Sequence, residues 1–255
     1  MGELDVKKQG TLGVKNLLGN THPAVIAVWA ALISVGNMLP SLPMIGTGGT
    51  FSVSAAFAPL AGVLFGPIGG AICAAIGGFI GQIIAPHIAW LGMGTFLVGT
   101  INAFTAGLIS RGKWIPGVGI IAVGTVLWFT TEIGRQAPIF PTVFYSLGVI
   151  MAVLGGIFGA RWLLKSNIIL KGVGIWLASF AGFVAAASIA NFLGIIIIQI
   201  PAEVWKFLAW VAPWERTIFA LGAAVIGVPL LIALPKIGIF VGPDVEEEDD
   251  DEDDE

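Results

Sequence analysis

The sequence has few of the residues that usually carry catalysis or bind metals. It contains one cysteine and two histidines, and only 11% of its residues are charged. A single cysteine, Cys73, excludes a disulfide within the chain and a cysteine metal site. The histidines, His22 and His87, are far apart and each adjoins a proline. Two isolated histidines do not form a metal-binding group.

Sequence patterns typical of enzymes are also missing. There is no His-Glu-x-x-His zinc motif, no nucleophile with its base and no paired-carboxylate site. The nearest approach to a phosphate-binding loop runs from Gly107 to Lys113 and continues with Trp114, which has no hydroxyl for magnesium. We therefore expect no enzymatic activity and no cofactor, and ATP hydrolysis, if used, would come from a partner.

Apolar residues dominate the chain. They make up 56% of it, and the mean hydropathy is +0.95. This is more apolar than an average globular domain, so the chain requires lipid as its solvent. We predict a cytoplasmic N-terminal segment (1–20) without signal-peptide character, one transmembrane helical domain (21–240) and a disordered acidic tail (241–255).

The acidic tail masks a basic body. Of the 16 acidic residues, 11 lie between Asp244 and Glu255, which leaves 5 acids against 12 bases elsewhere. Such a dense run of like charge favours a solvated tail. A tail that recruits a soluble partner to a membrane scaffold stays an alternative, and it predicts that deletion of 244–255 abolishes function.

Eight apolar segments are long enough to be membrane spans. They lie at about residues 24–39, 51–66, 67–85, 94–110, 115–133, 140–162, 172–200 and 216–235. The second and third form one run from Phe51 to Ala85. A single helix of that length would extend ~52 Å across a hydrocarbon core of only ~30 Å. Gly66-Pro67 interrupts the run, and proline suits the first turn of a new helix, so we expect a tight hairpin there.

Charge placement supports eight spans. Lys and Arg concentrate in cytoplasmic loops. With both termini cytoplasmic, nine of the twelve basic residues fall inside, and only Arg135, Lys206 and Arg216 fall outside. If the second and third spans were one helix, every basic residue after them would move to the opposite side of the membrane, and most of these residues would then lie outside.

This orientation defines four outer loops and two belts of interfacial aromatic residues. The loops are Pro40 to Thr50, Pro86 to Met93, Gly134 to Ile139 and Pro201 to Glu215. The outer belt is predicted to contain Trp90, Trp128, Tyr145, Trp205, Trp210 and Trp214, and the inner belt Trp114, Trp162 and Trp176.

Small residues form a distinctive pattern in the first half of the chain. The first span carries Ala27-xxx-Ala31, a spacing that lets membrane helices approach closely. A Gly-rich outer loop follows, Ile45-Gly-Thr-Gly-Gly-Thr50. The hairpin then reads Ser54-Ala-Ala-Phe-Ala-Pro59, Gly66-Pro67-Ile-Gly-Gly70 and Gly77-Gly78-Phe-Ile-Gly81-Gln82. Together these features, from residue 24 to about 110, resemble the substrate-capture (S) components of energy-coupling-factor transporters.

The resemblance implies a multi-pass cell-membrane subunit that binds a vitamin or other micronutrient at its outer face. In that family a transmembrane coupling subunit and a pair of ABC-type ATPases supply the energy, and the Ala-rich first helix contacts the coupling subunit. Ala27 and Ala31 are the matching positions here. The family has six helices, so the fold expected is an all-α bundle with a six-helix core and about eight spans in total.

Polar residues at membrane depth are costly and therefore mark candidate ligand contacts. Asn37, Gln82, Glu132 and Asn191 lie in the outer halves of their predicted helices. Asn102 lies nearer the middle, where we favour a hydrogen bond between helices. Glu132 and Arg135 share one helical face, which fits either a mutual ion pair or contacts with a ligand.

The remaining candidates are a loop and three aromatic residues. The Gly-rich loop includes Thr47, Gly48, Gly49 and Thr50, whose exposed backbone donors fit either a lid over a ligand or a plain turn. In the resembled family this loop helps to occlude substrate. Trp90, Trp128 and Tyr145 could stack on a planar ring, although belt anchoring is the default interpretation.

The leading hypothesis is the binding subunit of a micronutrient importer, with a small molecule, a coupling subunit and ABC-type ATPases as partners and no nucleic acid. The alternative is a self-sufficient secondary transporter or channel, in which Asn102 and Glu132 line a continuous path.

Overall fold

The computed structural model of the protein describes residues 22–45 and 49–243, except for the side chains of residues 40 and 41. It is 83% helical. The predicted N-terminal segment 1–20, the loop residues Thr47 and Gly48, and the acidic run 244–255 lie outside the described residues.

Five helical segments are long and apolar enough to cross a membrane. They are Val53–Ile84, Gly92–Ser110, Pro141–Leu164, Ile168–Ile198 and Ala202–Ile237. Two shorter apolar helices, Pro23–Gly36 and Trp114–Thr130, accompany them. The predicted helical bundle is confirmed, and the length and composition of these helices support a multi-pass membrane protein.

The helices and strands are numbered in chain order. The helices are α1 (Pro23–Gly36), α2 (Phe57–Ile84), α3 (Phe96–Ser110), α4 (Trp114–Thr130), α5 (Glu132–Gln136), α6 (Ser146–Leu154), α7 (Ala160–Leu164), α8 (Ile168–Ile198) and α9 (Ala202–Ala233). The strands are β1 (Pro40–Pro43) and β2 (Thr50–Ser52). Two π-helical turns, Pro141–Tyr145 and Gly155–Gly159, make α6 and α7 parts of one continuous helical segment.

The two short strands form an antiparallel pair between α1 and α2, with Pro40 opposite Ser52 and Pro43 opposite Thr50. This short pair is a local addition to the predicted all-α bundle. Pro40 and Pro43 explain why α1 does not continue: proline lacks the N–H a helix needs, and it restricts the preceding residue to extended conformations.

The run of α2 reverses direction at Gly66. This residue has φ 81° and ψ 174°, a conformation that residues with a Cβ rarely adopt. A Cβ added at Gly70 would lie 2.5 Å from the Cα of Gly62, whereas eight residues of straight helix rise ~12 Å. Pro67 then begins the returning half. The predicted hairpin at Gly66-Pro67 is therefore confirmed.

Arg111 holds the tip of this hairpin. Its Nη1 donates to the carbonyl oxygens of Gly62 at 3.3 Å and Val63 at 3.5 Å, and its Nη2 donates to that of Gly242 at 3.4 Å. The backbone N–H of Gly242 in turn donates to Leu64 O at 2.8 Å. The last carbonyls of a helix lack helical partners and attract cations, so Arg111 stabilises the end of the first half of α2.

These contacts define two ends of the bundle. We call the end with Gly66, Arg111 and Gly242 the tip end. A Cβ at Gly156 would lie 2.5 Å from the Trp114 ring, and the Lys171 ammonium donates to Leu163 O, so the α4 start and the α7–α8 turn also lie there. The opposite end, where Asn37 accepts a hydrogen bond from Ser52, is called the cavity end.

Helix α8 runs through the centre of the bundle, and small residues let its neighbours approach it. A Cβ at Gly124 of α4 would lie 2.4 Å or less from Ser188, and one at Gly148 of α6 would overlap Val184. Such close approach is how membrane helices gain packing energy where burial from water contributes little. Residues of α8 consequently form part of both apolar cores of the protein.

The predicted outer loop from Pro201 to Glu215 is helical: Pro201 caps α9, and the residues from Ala202 onwards belong to it. Trp205, Leu208, Ala209 and Ala212 are buried at helical spacing. The other face is exposed and mixed: Lys206 pairs with Glu203 at 2.7 Å, and the apolar side chains of Trp210 and Trp214 are also exposed. The charged residues Glu203, Lys206 and Glu215 lower the average hydropathy of this segment, which explains why the composition suggested a loop.

Candidate ligand-binding cavity

A cavity of about 890 Å³, counted out to its open mouth, lies at the cavity end. Its walls come from the end of α1, β2, both halves of α2, the turn before α3, α3, α8 and α9. Most of the lining is apolar, and it includes the aromatic side chains of Phe51, Trp90, Phe96 and Phe183. Apolar walls with a few polar groups are typical of a small-molecule site.

Three polar atoms in this cavity have no hydrogen-bond partner. Six buried side-chain atoms among the described residues are unsatisfied, and three of them belong to residues that line the cavity: Thr50 Oγ1, Asn102 Oδ1 and Arg216 Nε. An unsatisfied buried polar group costs about 1–3 kcal/mol, so native proteins leave few of them. Three in one cavity indicate a place where a bound molecule completes the hydrogen bonding.

Arg216 lies in α9 and is the only charged residue among the described residues that line the cavity. Its Cζ lies 4.5 Å from the ring centroid of Phe51 and 5.8 Å from that of Phe183. Among the described residues, no carboxylate oxygen lies within 4 Å of its guanidinium nitrogens. Cation–π contacts with two rings hold the guanidinium, while Nε–H is left without an acceptor.

A second cavity of about 480 Å³ adjoins the first. The two share Met44, Phe51, Trp90, Asn191 and Arg216 in their linings. Arg216 therefore lies where the two cavities meet. Glu215, the next residue in the chain, lines the second cavity and is not part of the wall of the first.

Asn102 lies in α3 at its closest approach to α8. A Cβ at Gly182 would lie 2.5 Å from Asn102 Oδ1, so only glycine fits beside this amide. We predicted a hydrogen bond between helices for Asn102, and its Oδ1 makes none, because this atom has no partner among the described residues. The structure places Asn102 in the cavity wall instead.

Asn37 and Gln82, both predicted ligand contacts, have structural partners. Asn37 Oδ1 accepts hydrogen bonds from the hydroxyls of Ser52, at 2.9 Å, and Ser54. Asn37 still lines the cavity, but it also ties α1 to β2. Gln82 donates to Met93 O at 2.9 Å and accepts from Phe96 N at 3.0 Å, and it is absent from the lining. It fixes the turn before α3.

Trp90 and Asn191 lie in the walls of both cavities. A Cβ at Gly194 would lie 3.0 Å from the Trp90 ring, so the indole packs directly on α8. Asn191 Nδ2 donates to Tyr145 Oη at 3.4 Å. Both residues were predicted as ligand contacts, and their positions in the lining are compatible with that role.

Trp128 and Tyr145 do not line the main cavity. Trp128 is 0% exposed and its ring centroid lies 5.1 Å from that of Phe140 and 5.0 Å from that of Trp205. Tyr145 packs edge-on against Trp128 in the same cluster. The predicted interfacial position of Trp128, Tyr145 and Trp205 is wrong, since all three are buried, whereas Trp210 and Trp214 are exposed at 62% and 73%.

Glu132 and Arg135 lie outside the cavity lining, on α5. Arg135 Nη1 donates to Phe129 O at 3.2 Å and to Thr130 O at 3.0 Å, at the end of α4. Glu132 accepts a hydrogen bond from Gln136 at 3.4 Å. Each side chain therefore has a local partner, and Arg135 stabilises a helix terminus.

The predicted lid loop is described only at its edges. Gly49 O accepts a hydrogen bond from Met44 N at 2.9 Å, and Thr50 lines the cavity. Ala27 and Ala31 lie on the exposed face of α1. The opposite face of α1 packs inside the bundle, where Ser34 Oγ donates to Gly77 O at 3.0 Å.

Sequence reasoning missed Arg216 as a site residue. The predicted loop ended at Glu215, which placed Arg216 at the edge of a span. The helical spacing of apolar residues from Ala202 to Ala212 was the available signal, since it continues the helix through Arg216 and into the span.

No family model matches the chain, and no solved structure matches it. An uncharacterized protein of Methanocaldococcus jannaschii is 25% identical to it over 160 residues, which is 63% of this chain. The aligned region covers 54% of that protein, so the chain spans about half the length of this curated relative. The relative carries no assigned activity, and the cavity remains the basis for a function.

Proposed function

We propose that the protein captures a small molecule in the cavity lined by Thr50, Asn102 and Arg216. The observation that supports this most is the set of three unsatisfied polar atoms within one largely apolar cavity. In water each atom would be solvated, and in a packed core each would find a partner. A ligand with matching donors and acceptors removes that cost on binding, which gives both affinity and orientation.

The cavity opens to the outer side of the cell membrane in this proposal. The chain passes eight times, because 53–65 and 67–84 count as two passes around Gly66. The tip end then lies inside together with both termini. Support comes from the basic residues in or beside the segments that meet at the tip end, as the positive-inside rule expects. These are Arg111, Lys113, Arg161, Lys165, Lys171 and Lys236.

The captured molecule is a micronutrient, such as a vitamin, taken up by an energy-coupling-factor type of importer. The described helices contain no phosphate-binding loop, so the energy comes from a coupling subunit and ABC-type ATPases. Ala27 and Ala31 lie on the exposed face of α1 and form a surface of small residues that another helix can approach closely.

Mass spectrometry of the full chain purified in detergent tests the capture function. We expect a stoichiometric small molecule to be released on denaturation, and depleted from the triple variant Thr50→Val, Asn102→Leu, Arg216→Met. Affinity purification from native membranes should recover a coupling subunit and ATPases. Recovery of none, together with uptake into proteoliposomes that contain this protein alone, would favour a self-sufficient secondary transporter.

Cysteine labelling tests the topology. In a Cys73→Ser background, cysteines at positions 112 or 166 should be protected from an impermeant reagent in intact cells and should react after permeabilisation. A cysteine at position 93, in the predicted outer loop, is the matched control and should react in intact cells. Labelling of position 112 from outside would overturn the orientation.

A further inference from the structure

We infer that the captured molecule is a monoanionic carboxylate on a flat apolar body, whose carboxylate binds Arg216 and whose hydrogen-bond donor binds Asn102. This inference rests on the proposed function and specifies its substrate class. It is carried by the identity of the unsatisfied atoms, since each atom restricts what a partner must supply.

Arg216 determines the charge of the ligand. Guanidinium donors lie in the plane of the group, whereas a cation–π contact engages only its charge; the Cζ of Arg216 lies over the Phe51 ring, 4.5 Å from the ring centroid. The aromatic contacts therefore use none of the N–H donors along the edge of the guanidinium, and Nε–H has no acceptor among the described residues. A carboxylate matches that edge with two parallel hydrogen bonds, which are stronger than those of a neutral acceptor.

A single negative charge fits this site better than a double one. Arg216 is the only charged residue among the described residues of the main lining, and Glu215 lines the adjoining cavity. A phosphate dianion would bring a second charge for which these walls offer no cation. In surroundings of low polarity an unpaired charge is costly, so a carboxylate is favoured over a phosphate ester.

Asn102 and Thr50 determine the polar groups at the other positions. Asn102 Oδ1 can only accept, so the ligand must donate to it, through an amine, an amide or a ring N–H. Thr50 Oγ1 can donate or accept and adds no restriction. The ligand therefore carries a donor separate from its carboxylate.

The walls determine the body of the ligand. Phe51, Trp90, Phe96 and Phe183 line the same cavity as Thr50, Asn102 and Arg216. Aromatic and aliphatic walls favour a planar apolar ring, because it gains contact on both faces without leaving further polar groups unpaired. A sugar, with a hydroxyl on most of its carbons, would leave most of them without partners here.

Two measurements on the full chain in detergent test this inference. The first identifies the released small molecule by high-resolution mass spectrometry and counts its carboxylates by methyl esterification. The second measures binding by calorimetry for three probes: 4-aminobenzoate, its amide 4-aminobenzamide, and benzoate, which lacks the amine. We expect 4-aminobenzoate to bind at least tenfold more tightly than either of the other probes.

Substitutions of Arg216 and Asn102 test the two proposed ligand contacts separately. Arg216→Gln should weaken 4-aminobenzoate at least thirtyfold and leave 4-aminobenzamide within threefold, whereas Arg216→Lys should retain part of the preference for the carboxylate. Asn102→Leu should weaken 4-aminobenzoate and leave benzoate unchanged. Arg135→Gln is the matched control: Arg135 is an arginine of the same end, outside the cavity, and its loss should change no affinity. Thermal unfolding of each variant verifies folding.

The outcomes separate this inference from the proposed function. Release of a neutral or cationic compound, or equal binding of 4-aminobenzoate and its amide, would overturn the carboxylate assignment while capture itself stands. An unchanged affinity in Arg216→Gln would overturn the role of Arg216. A wild-type protein that releases no small molecule and binds none of the probes would overturn the capture function, and this inference with it.

Discussion

The guanidinium of Arg216 lies over the ring of Phe51, with its Cζ 4.5 Å from the ring centroid. Phe51 belongs to β2 and Arg216 to α9, so this contact connects the strand pair before the hairpin with the last long helix. Phe51 also packs on Phe219, one turn after Arg216, with ring centroids 5.2 Å apart. Strand β2 thereby covers part of the cavity and positions Arg216, the one cation of its described lining.

Phe51→Leu should weaken the contact that positions the guanidinium of Arg216. A cation–π contact in partly desolvated surroundings is worth about 1–2 kcal/mol, so ligand affinity should fall roughly tenfold. Phe51→Trp, which keeps an aromatic face, should retain affinity within threefold. Calorimetry with the co-purified ligand measures both, and equal affinity in the leucine variant would show that the ring does not orient Arg216.

Arg216→Met should stabilise the empty protein while removing the response to ligand. A buried polar group without a partner costs about 1–3 kcal/mol, and methionine fills a similar volume without one. The unfolding temperature in detergent should rise by about 2–4 °C per kcal/mol for a chain of this size. Arg135→Met should not raise it, because Arg135 donates to two carbonyls. A lower midpoint for Arg216→Met would mean that the charge is already satisfied.

Gly70→Ala should destabilise the hairpin. The added methyl would lie 2.5 Å from Gly62 Cα, and both positions are backbone that cannot move aside cheaply. Overpacking of this kind costs about 1–3 kcal/mol. Gly119→Ala is the matched control, since nothing lies within 4 Å of its added methyl, and alanine is the better helix former by up to about 1 kcal/mol. Thermal unfolding in detergent should separate the two variants in opposite directions.

Arg111→Gln should weaken the tip end. The variant loses charge-assisted hydrogen bonds to Gly62 O and Gly242 O. Hydrogen bonds to a charged group contribute about 1.5–3 kcal/mol to stability. Lys113→Gln removes a neighbouring charge and should have little effect. Hydrogen exchange should show faster exchange at Gly242 N, which donates to Leu64 O, in the Arg111 variant only. An unchanged exchange rate at Gly242 N in Arg111→Gln would show that the tip end does not depend on Arg111.

Ala27→Leu and Ala31→Leu should separate folding from assembly. Both side chains are exposed, so the monomer should unfold at the wild-type temperature and bind its ligand normally. Bulky residues at these positions should nevertheless prevent close approach of a coupling subunit, and co-purification should fall several-fold. Val28→Leu, at an exposed position of α1 that is already large, is the control. If the Ala27→Leu and Ala31→Leu proteins both co-purify fully with a coupling subunit, the docking surface lies elsewhere.

Much of the helical framework was predictable because its signals are local. Pro23 begins α1, Asn167 caps α8 by accepting hydrogen bonds from Ile169 N and Leu170 N, and Gly66-Pro67 reverses α2. Each of these depends on the backbone preferences of one or two residues. The first part of α9 was missed because Glu203, Lys206 and Glu215 lower its average hydropathy, and a test of average hydropathy does not detect the helical spacing of its buried residues.

The cavity was less predictable, because it depends on which residues meet. Asn37, Thr50, Trp90 and Asn191 were predicted as contacts and lie in its lining, while Gln82, Trp128, Tyr145, Glu132 and Arg135 lie elsewhere. A polar residue in an apolar helix has the same sequence signature whether it faces a ligand or a backbone carbonyl. Gln82, with two backbone partners, and Asn102, with an unpaired oxygen, illustrate the two cases.

The amino-acid sequence by itself determined that this chain requires lipid, where most of its helices lie and where the long apolar run reverses. These are properties of short segments, set by transfer from water and by the limits that glycine and proline place on the backbone. Only the tertiary structure decided that Thr50, Asn102 and Arg216, remote from one another in the chain, share a cavity with unpaired atoms. Whether a polar atom has a partner depends on every neighbour that packing brings to it, and no segment contains that information alone.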